Sequence, residues 1–407
     1  MITFLVADIT VHPGWGIGDA TDDDSALDRD LLTDVHGRPW IPGSGLAGSL
    51  RAHLRRHDAD LAAELMGSPP PTHGDHELTA SDLWILGTRF TPDPEEPLTE
   101  IVGQTGIDRA RGAATAGSLR HTRTVTAGGT LTAYLRYDGD LSAPVLALVA
   151  AWQPTIGRDR TAGNGRTTLT RLRHGTIDPA TPDGLRIWLR HTGPDLIDTV
   201  AVHGLPPNPE PTPPSVIDVT VSVVGALLIG DPRLTGPAAT RSRAGTPLIP
   251  ASTWKGLFRS RTEYILRSIG IPACTTPVGC GTCPTCHLYG HPEGRGLLRF
   301  NDTPITDAQI PAPRTHNGLD RVTGGTRAGI LYQTQPVTAG TVRLRIDALT
   351  DALPGWTTNL LTHVLRDLHD GVIGIGSRTT RGYGTVTVTP PPNPQPLKPH
   401  AIEDHAR

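Results

Sequence analysis

An eleven-residue phrase occurs twice in this chain, as IPGSGLAGSLR at 41–51 and as IPASTWKGLFR at 249–259. Ile, Pro, Ser, Gly and Arg recur in frame, and the apolar positions Leu46/Trp254 and Leu50/Phe258 recur in kind. Proline biases the residue before it toward extended backbone, and Ser44 or Ser252 has the side chain to cap a following helix. Each copy therefore predicts an extended Ile-Pro pair, a turn and the first turns of a helix. Leu46, Leu50 and Leu54 fall on one buried stripe, with Arg51, Arg55 and Arg56 outward. One copy alone reads as an ordinary capped helix. Two copies demand a duplicated fold, with a helix start and its free N–H groups, a natural anion site, in each half.

The repetition continues in order. Asp108-Arg109 matches Asp320-Arg321, Val125-Thr126-Ala127-Gly128 matches Val337-Thr338-Ala339-Gly340, and IGRDRTAGNG at 156–165 matches IGSRTTRGYG at 375–384. The offsets are 249 − 41 = 208, 320 − 108 = 212, 337 − 125 = 212 and 375 − 156 = 219, so insertions between the motifs are modest. The sequence predicts two homologous domains, 1–190 and 216–390, joined by a Pro-rich connector over 191–215 that includes LPPNPEPTPP. The tail 391–407 lacks apolar periodicity and is expected to be disordered. Each half reads as strand, loop, helix, insertion, strands, helix, Gly-rich turn and strand, with short helices over 144–153 and 357–369. That order is an α+β, ferredoxin-like βαββαβ unit with long insertions, the architecture of RRM-type RNA binders.

With 407 residues, 46 glycines and 39 prolines, turns are many and long helices few. A net charge of −3 excludes the global basicity of a histone-like binder. Charge is nevertheless patterned. Residues 105–173 hold ten Arg against four Asp, a local excess of six positive charges, and such a patch suits a phosphate backbone. In the repeated turns Gly163, Gly165, Gly382 and Gly384 permit close backbone approach, and Arg158, Arg160, Arg378 and Arg381 offer guanidiniums suited to phosphate. A lone Gly-x-Gly with arginines is usually a tight turn; two in register point to a surface for ligand.

Cys274, Cys280, Cys283 and Cys286 lie within CTTPVGCGTCPTC. Two Cys-x-x-Cys steps converge on one tetrahedral ion, and four thiolates saturate Zn²⁺, giving a closed structural site. His287 and His291 stand in reserve, and a redox role is the minor reading. Four cysteines in one segment are not a secreted disulfide framework. The first residues read as a strand rather than a signal peptide, and no segment is apolar for long enough to span a bilayer, so the expected location is cytoplasmic. The loop 14–40 carries Asp19, Asp22, Asp23, Asp24, Asp28, Asp30 and Asp34, whereas its second-half counterpart 232–248 has no acid. Acids beside a phosphate-binding turn suit Mg²⁺ or proton transfer from an RNA 2′-hydroxyl.

Taken together, these motifs resemble the RAMP superfamily, the backbone subunits of type III CRISPR effector complexes. The residues that carry the likeness are the two Ile-Pro-x-Ser helices, the two Asp-Arg steps, the two Gly-rich turns, CPTCHLYG with GLLRFND, and LDRVTGGTRAGILYQ. The resemblance covers about 1–175 and 216–390. It implies RRM-like domains that grip CRISPR RNA, contact target RNA and assemble with other effector subunits. Gly43, Ser44, Arg51, Arg109, Arg111, Arg123, Ser252, Lys255, Arg259 and Arg321, with the turn residues above, are the expected RNA contacts. It also implies that Asp28, ahead of the first Ile-Pro-Gly-Ser, is the acid of a metal-dependent endonuclease, with Asp30 close enough to be confused with it. The rival readings are a noncatalytic scaffold and a metal-independent processing enzyme using His12, His36 or His316.

Overall fold

Local chemistry decides the first strand. ITFLVADITV at Ile2–Val11 (β1) is apolar on both faces, a pattern suited to a strand covered above and below. The structure, a computed structural model, describes residues 1–19, 27–68, 79–93, 98–109, 113–208, 215–230, 236–243, 245–276, 278–350 and 352–403. Arg111, Asp22, Asp23 and Asp24 lie outside the described residues. The chain divides into two compact units. The first holds residues 1–101, 122–160 and 164–212; the second holds 102–121, 161–163 and 213–407.

In the first unit β1 is followed by helix α1 (Gly43–His57), β2 (Leu83–Pro92), β3 (Gly129–Tyr137), α2 (Ala143–Ala150) and β4 (Thr167–Ile177). The sheet order is β4-β1-β3-β2, all antiparallel. That is the ferredoxin-like arrangement, as the motif order required. Leu5, Ala7, Ile9 and Val11 share one core with Leu46, Leu50 and Leu54 of α1 and with Leu146 and Val149 of α2. Each of those three leucines contributes about 1.5–3 kcal/mol through burial.

Phe4 and Val6 point to the opposite face, which is covered by Leu196, Ile197 and Val200. These three belong to a helix at Gly193–Val200, and His203–Leu205 then adds an edge strand beside β4. The connector expected over 191–215 is thus folded for much of its length. Its apolar residues, spaced for a helix, had a bare sheet face to cover.

The second unit repeats the plan with β5 (Ser215–Val223), α3 (Ala251–Ser268), β6 (Leu298–Phe300), β7 (Ala339–Ala348), α4 (Thr357–His369) and β8 (Val386–Thr389). Its order is β6-β7-β5-β8, again antiparallel. Trp254 and Phe258 of α3 pack with Leu360, Val364 and Leu368 of α4 over Val221, Leu344 and Ile346. Residues 391–403 pack back on the unit: Ile402 is fully buried, and Gln395 exchanges hydrogen bonds with Asn359 at 2.8 Å in both directions. Few apolar residues suffice where a groove beside α4 receives them.

The Gly-rich turns close both units in the same way. Gly165 donates its N–H to the Gly14 carbonyl at 2.9 Å, and Gly384 donates to Ala226 at 2.6 Å. Arg158 donates to Gly16 and Ser377 to Leu228. Both closing glycines have positive φ, +69° and +81°, and a Cβ on either would lie 1.9 or 2.2 Å from the carbonyl oxygen of Ile156 or Ile375. Gly382 shares the positive φ but has open space around it. Gly165→Ala and Gly384→Ala should therefore each destabilise by about 3 kcal/mol or more, strain plus collision. Gly382→Ala should cost only about 1–2 kcal/mol. Urea denaturation of the three variants checks the order.

Candidate nucleic-acid interface and metal centre

Both Ile-Pro-x-Ser helices start two residues earlier than a serine cap would require, at Gly43 rather than 45 and at Ala251 rather than 253. Pro42 and Pro250 occupy the cap positions in extended geometry, with no side-chain cap bond. Ser44 and Ser252 sit exposed in the first turn. Gly43 is small for a reason, since a Cβ there would meet Ile85 at 3.1 Å. In the second half the helix N-terminus already holds an anion. Asp302 accepts the Ala251 N–H at 2.8 Å and pairs with Arg243 at 2.9 Å, so the second start is not a vacant phosphate site.

The arginines separate into two sets. Arg51, expected outward, caps the helix Ala59–Met66 by donating to the Gly67 and Met66 carbonyls. Arg259 turns inward and donates to Glu263 at 3.0 Å, to the Gly290 carbonyl and to Cys286 Sγ at 3.4 Å. Arg109, a member of the second unit, pairs with the other oxygen of Glu263 at 2.5 Å and donates to the Thr276 carbonyl. These three guanidiniums are committed to the framework. Glu263 is fully buried; burial pushes its carboxyl up, and the Arg259 and Arg109 charges oppose that shift. Lys255 is half-buried on Thr161 Oγ1 at 2.6 Å.

Around the acidic loop, Asp30 and Asp34 hold different partners. Asp30 takes both its oxygens to Arg123, at 2.9 and 3.1 Å, and accepts the Leu31 amide. Arg158, half-buried against Gly16 and Gly18, donates to the Arg123 and Asp30 carbonyls and pins the same corner. Burial lowers its pKa. Asp34 accepts the His36 and Arg38 amides and the Arg38 guanidinium, and these bonds hold it down to about 2. Asp28, two residues before Asp30, is exposed. Arg160 donates to Thr155 Oγ1 at 2.9 Å in the turn itself.

The second turn makes a different surface. Arg378 and Arg381 both donate to Tyr332 Oη at 3.1 Å, and Arg378 lies over the ring at 4.7 Å from its centroid. His316 stacks on Tyr332 with rings 14° apart and 5.1 Å between centroids. The Arg378 hydrogen bond and charge lower the Tyr332 pKa. Two cations beside a stacked, half-buried aromatic pair form a combination suited to single-stranded nucleic acid. Arg378 holds φ at +61°, and its first-half equivalent Asp159 holds +56°, 378 − 159 = 219 residues earlier. Left-handed backbone outside glycine is costly, and finding it twice in register ties both turns to one geometry. Gly163 and Gly382 share the positive φ. Arg321 lies exposed on a hairpin tip away from this cluster in sequence. Tyr332 escaped the sequence reading, although it stands in the quoted LDRVTGGTRAGILYQ, because nothing local brings residue 332 to 378.

The four cysteines meet. Cys274 Sγ lies 3.6 Å from both Cys283 and Cys286, and Cys280 Sγ lies 3.9 Å from Cys286. All four sulfurs fall within 4.8 Å of one another. A tetrahedral zinc with Zn–S bonds of about 2.3 Å sets its sulfurs about 3.8 Å apart, so the donor set fits the ion. Burial pushes Cys274 up to about 12, whereas the Thr282 hydroxyl pulls Cys280 down to about 5. Crowded thiols of this kind do not all ionise without a cation. His287 and His291 are not part of the group. The Arg259 bond to Cys286 is an N–H···S contact of the sort that orients a metal ligand.

A family model described as the RAMP superfamily matches residues 10–168 and 220–387. No curated protein is matched. Among the described residues no helix is long and apolar enough to cross a membrane.

Metal analysis of the purified chain should return about one zinc, as four thiolates require, and Cys283→Ser should lose it along with the order of 274–290. Full stability of a zinc-free chain would count against the site. Asp34 gives a second test. Its carboxyl is held below the ordinary 3.8, at about 2, so its support for the 34–38 turn is complete above pH 3.8 and fades as pH falls toward 2. Carboxyl NMR titration should find Asp34 ionised at pH 3.

Proposed function

The chain belongs to the RAMP superfamily, and on that basis we propose that it is a CRISPR RNA-binding subunit of a type III effector ribonucleoprotein, acting in the cytoplasm. The observation that carries this reading is the pair of Gly-rich turns, built on the same hydrogen bonds and the same left-handed residues in both halves. Two equal grips in one chain suit two successive stretches of one guide. Phosphate contacts position RNA without reading its sequence, and base pairing with the guide supplies specificity. Arg160, Arg378 and Arg381 stand at the turns, while Tyr332 and His316 offer a stacking face in the second half.

The first half, on this reading, also cuts the paired target RNA. Asp28, exposed in the loop ahead of the first Ile-Pro-Gly-Ser, is the proposed acid; Asp30 is bound to Arg123 and Asp34 organises its own turn. Asp28 receives the proton of a 2′-hydroxyl as that oxygen attacks the neighbouring phosphorus and the 5′-oxygen leaves. A divalent ion, when bound, supplies positive charge at the phosphate. Among the described residues no carboxylate cluster forms around Asp28. Mg²⁺ commonly binds through one or two carboxylates, with phosphate and water completing its shell, and a single acid fits that habit. The Asp30–Arg123 pair and Arg158 are positioning residues that hold the loop.

Asp28→Ala should reduce target cleavage by at least about a hundredfold while guide affinity, measured by filter binding, stays unchanged. Asp30→Asn should cost less, through loosening of the loop. Wild-type cleavage by Asp28→Ala would leave the scaffold reading in place. Arg378→Ala with Arg381→Ala should weaken guide binding and lower its salt slope by about two, one per lost phosphate contact.

A further inference from the structure

In the first unit the edge strand His203–Leu205 runs antiparallel to β4, with Leu205 opposite Leu172 and His203 opposite His174. Side chains alternate faces along a strand, so the histidine pair shares its face with the leucine pair, which packs on the core of α1 and α2. Residues directly opposite on an antiparallel pair hold their Cβ atoms about 4.5–5.5 Å apart. The two imidazole centroids stand 5.7 Å apart, with the rings inclined by 46°. His174 is half-buried and His203 exposed. Other histidines commit a ring nitrogen: His53 to the Leu148 carbonyl, His363 to the Gln395 carbonyl and His369 to the Val388 amide. Among the described residues no hydrogen bond reaches either ring of the 174/203 pair. The nearest acids divide in the same way. Asp138 is taken by Arg136 at 2.6 Å, whereas Asp140, exposed on the turn after β3, has no such partner among the described residues. Burial and then His203 lower the His174 pKa, and the Asp140 carboxylate opposes them. Arg173, the chain neighbour of His174, turns to the opposite face and pairs with Asp198 at 2.8 Å, so its guanidinium is engaged away from the two rings.

We propose that His174 and His203 hold a second zinc ion, with Asp140 as the third ligand and water in the fourth position. A Zn–N bond is about 2.0–2.1 Å, and an imidazole centre lies about 1.1 Å behind its nitrogen, so two rings at the tetrahedral angle have centroids about 5.2 Å apart. The observed 5.7 Å is within about half an ångström of that spacing. Imidazole binds metal in its neutral form, and the lowered His174 pKa keeps that ring neutral at pH 7. The four cysteines are the one described group in which three or more donors already converge, so Asp140 closes on the ion by rotation of its exposed side chain. Two nitrogens and one carboxylate suit zinc and not calcium or magnesium, which take oxygen shells. Unlike the four-cysteine centre, this one keeps an open position. Its effect on the fold follows from the chain order. The ion ties the edge strand and the turn after β3 to β4, and the edge strand directly follows the helix Gly193–Val200 that covers Phe4 and Val6. Zinc therefore fastens the cover of the first sheet, and the site stands independently of the RNA reading.

The test titrates zinc chloride into the full chain, free of any tag and retaining its cysteine-bound metal, by calorimetry. One further equivalent should bind, and hydrogen exchange across 193–205 should slow as it does. His203→Ala truncates an exposed side chain and so spares the fold. It should weaken the further equivalent at least about a hundredfold, since even an outer-shell partner of a metal ligand is worth about 10–100-fold. His174→Ala should repeat that loss, and Asp140→Asn should weaken binding at least about tenfold. Cobalt taken up in place of the further ion should show weak visible bands without the sulfur-to-cobalt charge transfer of a cysteine site, which keeps the two centres apart. Absence of a further equivalent, equal affinity in His203→Ala, or exchange across 193–205 that ignores zinc overturns the proposal.

Discussion

A backbone-to-backbone contact sets the geometry of both units. The amide of Gly165 reaches the carbonyl of Gly14, and that of Gly384 reaches Ala226. Neither contact survives a Cβ at the donating residue. Because the loop after the first strand of each unit is fixed by this contact, everything carried on that loop is placed relative to the turn. In the first unit this includes Gly16, which accepts the Arg158 amide; in the second it includes Leu228, which accepts both the Ser377 amide and its hydroxyl. The left-handed residues Asp159 and Arg378 follow from the same constraint. Their strain is tolerated because the surrounding hydrogen bonds over-determine the turn.

On that shared frame the two units place different charges. The first surrounds its turn with acids and arginines, the Asp30–Arg123 pair and Arg158, with Asp28 exposed two residues before Asp30. The second presents Tyr332 beside two arginines and His316. Duplication preserved the backbone geometry, which depends on glycine and proline, and released the side chains. The difference between cutting and holding, on the proposed reading, is a difference in side chains on one scaffold.

Buried charge adds a further layer of order. Glu263 lies inside the second unit between Arg109 and Arg259, and Arg259 touches a cysteine of the metal group. Removing one partner of such a buried pair costs about 3–5 kcal/mol because the remaining charge has no solvent to turn to. The arrangement therefore fastens the 107–109 tip and the metal knuckle to one helix. Coulomb attraction alone is a weak source of stability here, and its value lies in fixing which segment sits where.

Much of this was legible in the chain. The duplication, the strand and helix order, the buried Leu46-Leu50-Leu54 stripe and the meeting of four cysteines follow from local pattern, because proline geometry, helical period and Cys-x-x-Cys spacing act over a few residues. The tertiary structure decided what local pattern could not. Ser44 and Ser252 failed to cap because proline took the cap position. Arg51, Arg109 and Arg259 went inward because buried carbonyls and Glu263 needed them. Residues 193–205 and 391–403 folded because an uncovered sheet face and the groove beside α4 were waiting. Arg109 meets a carboxylate 263 − 109 = 154 positions away, and sequence spacing carries no record of such a meeting.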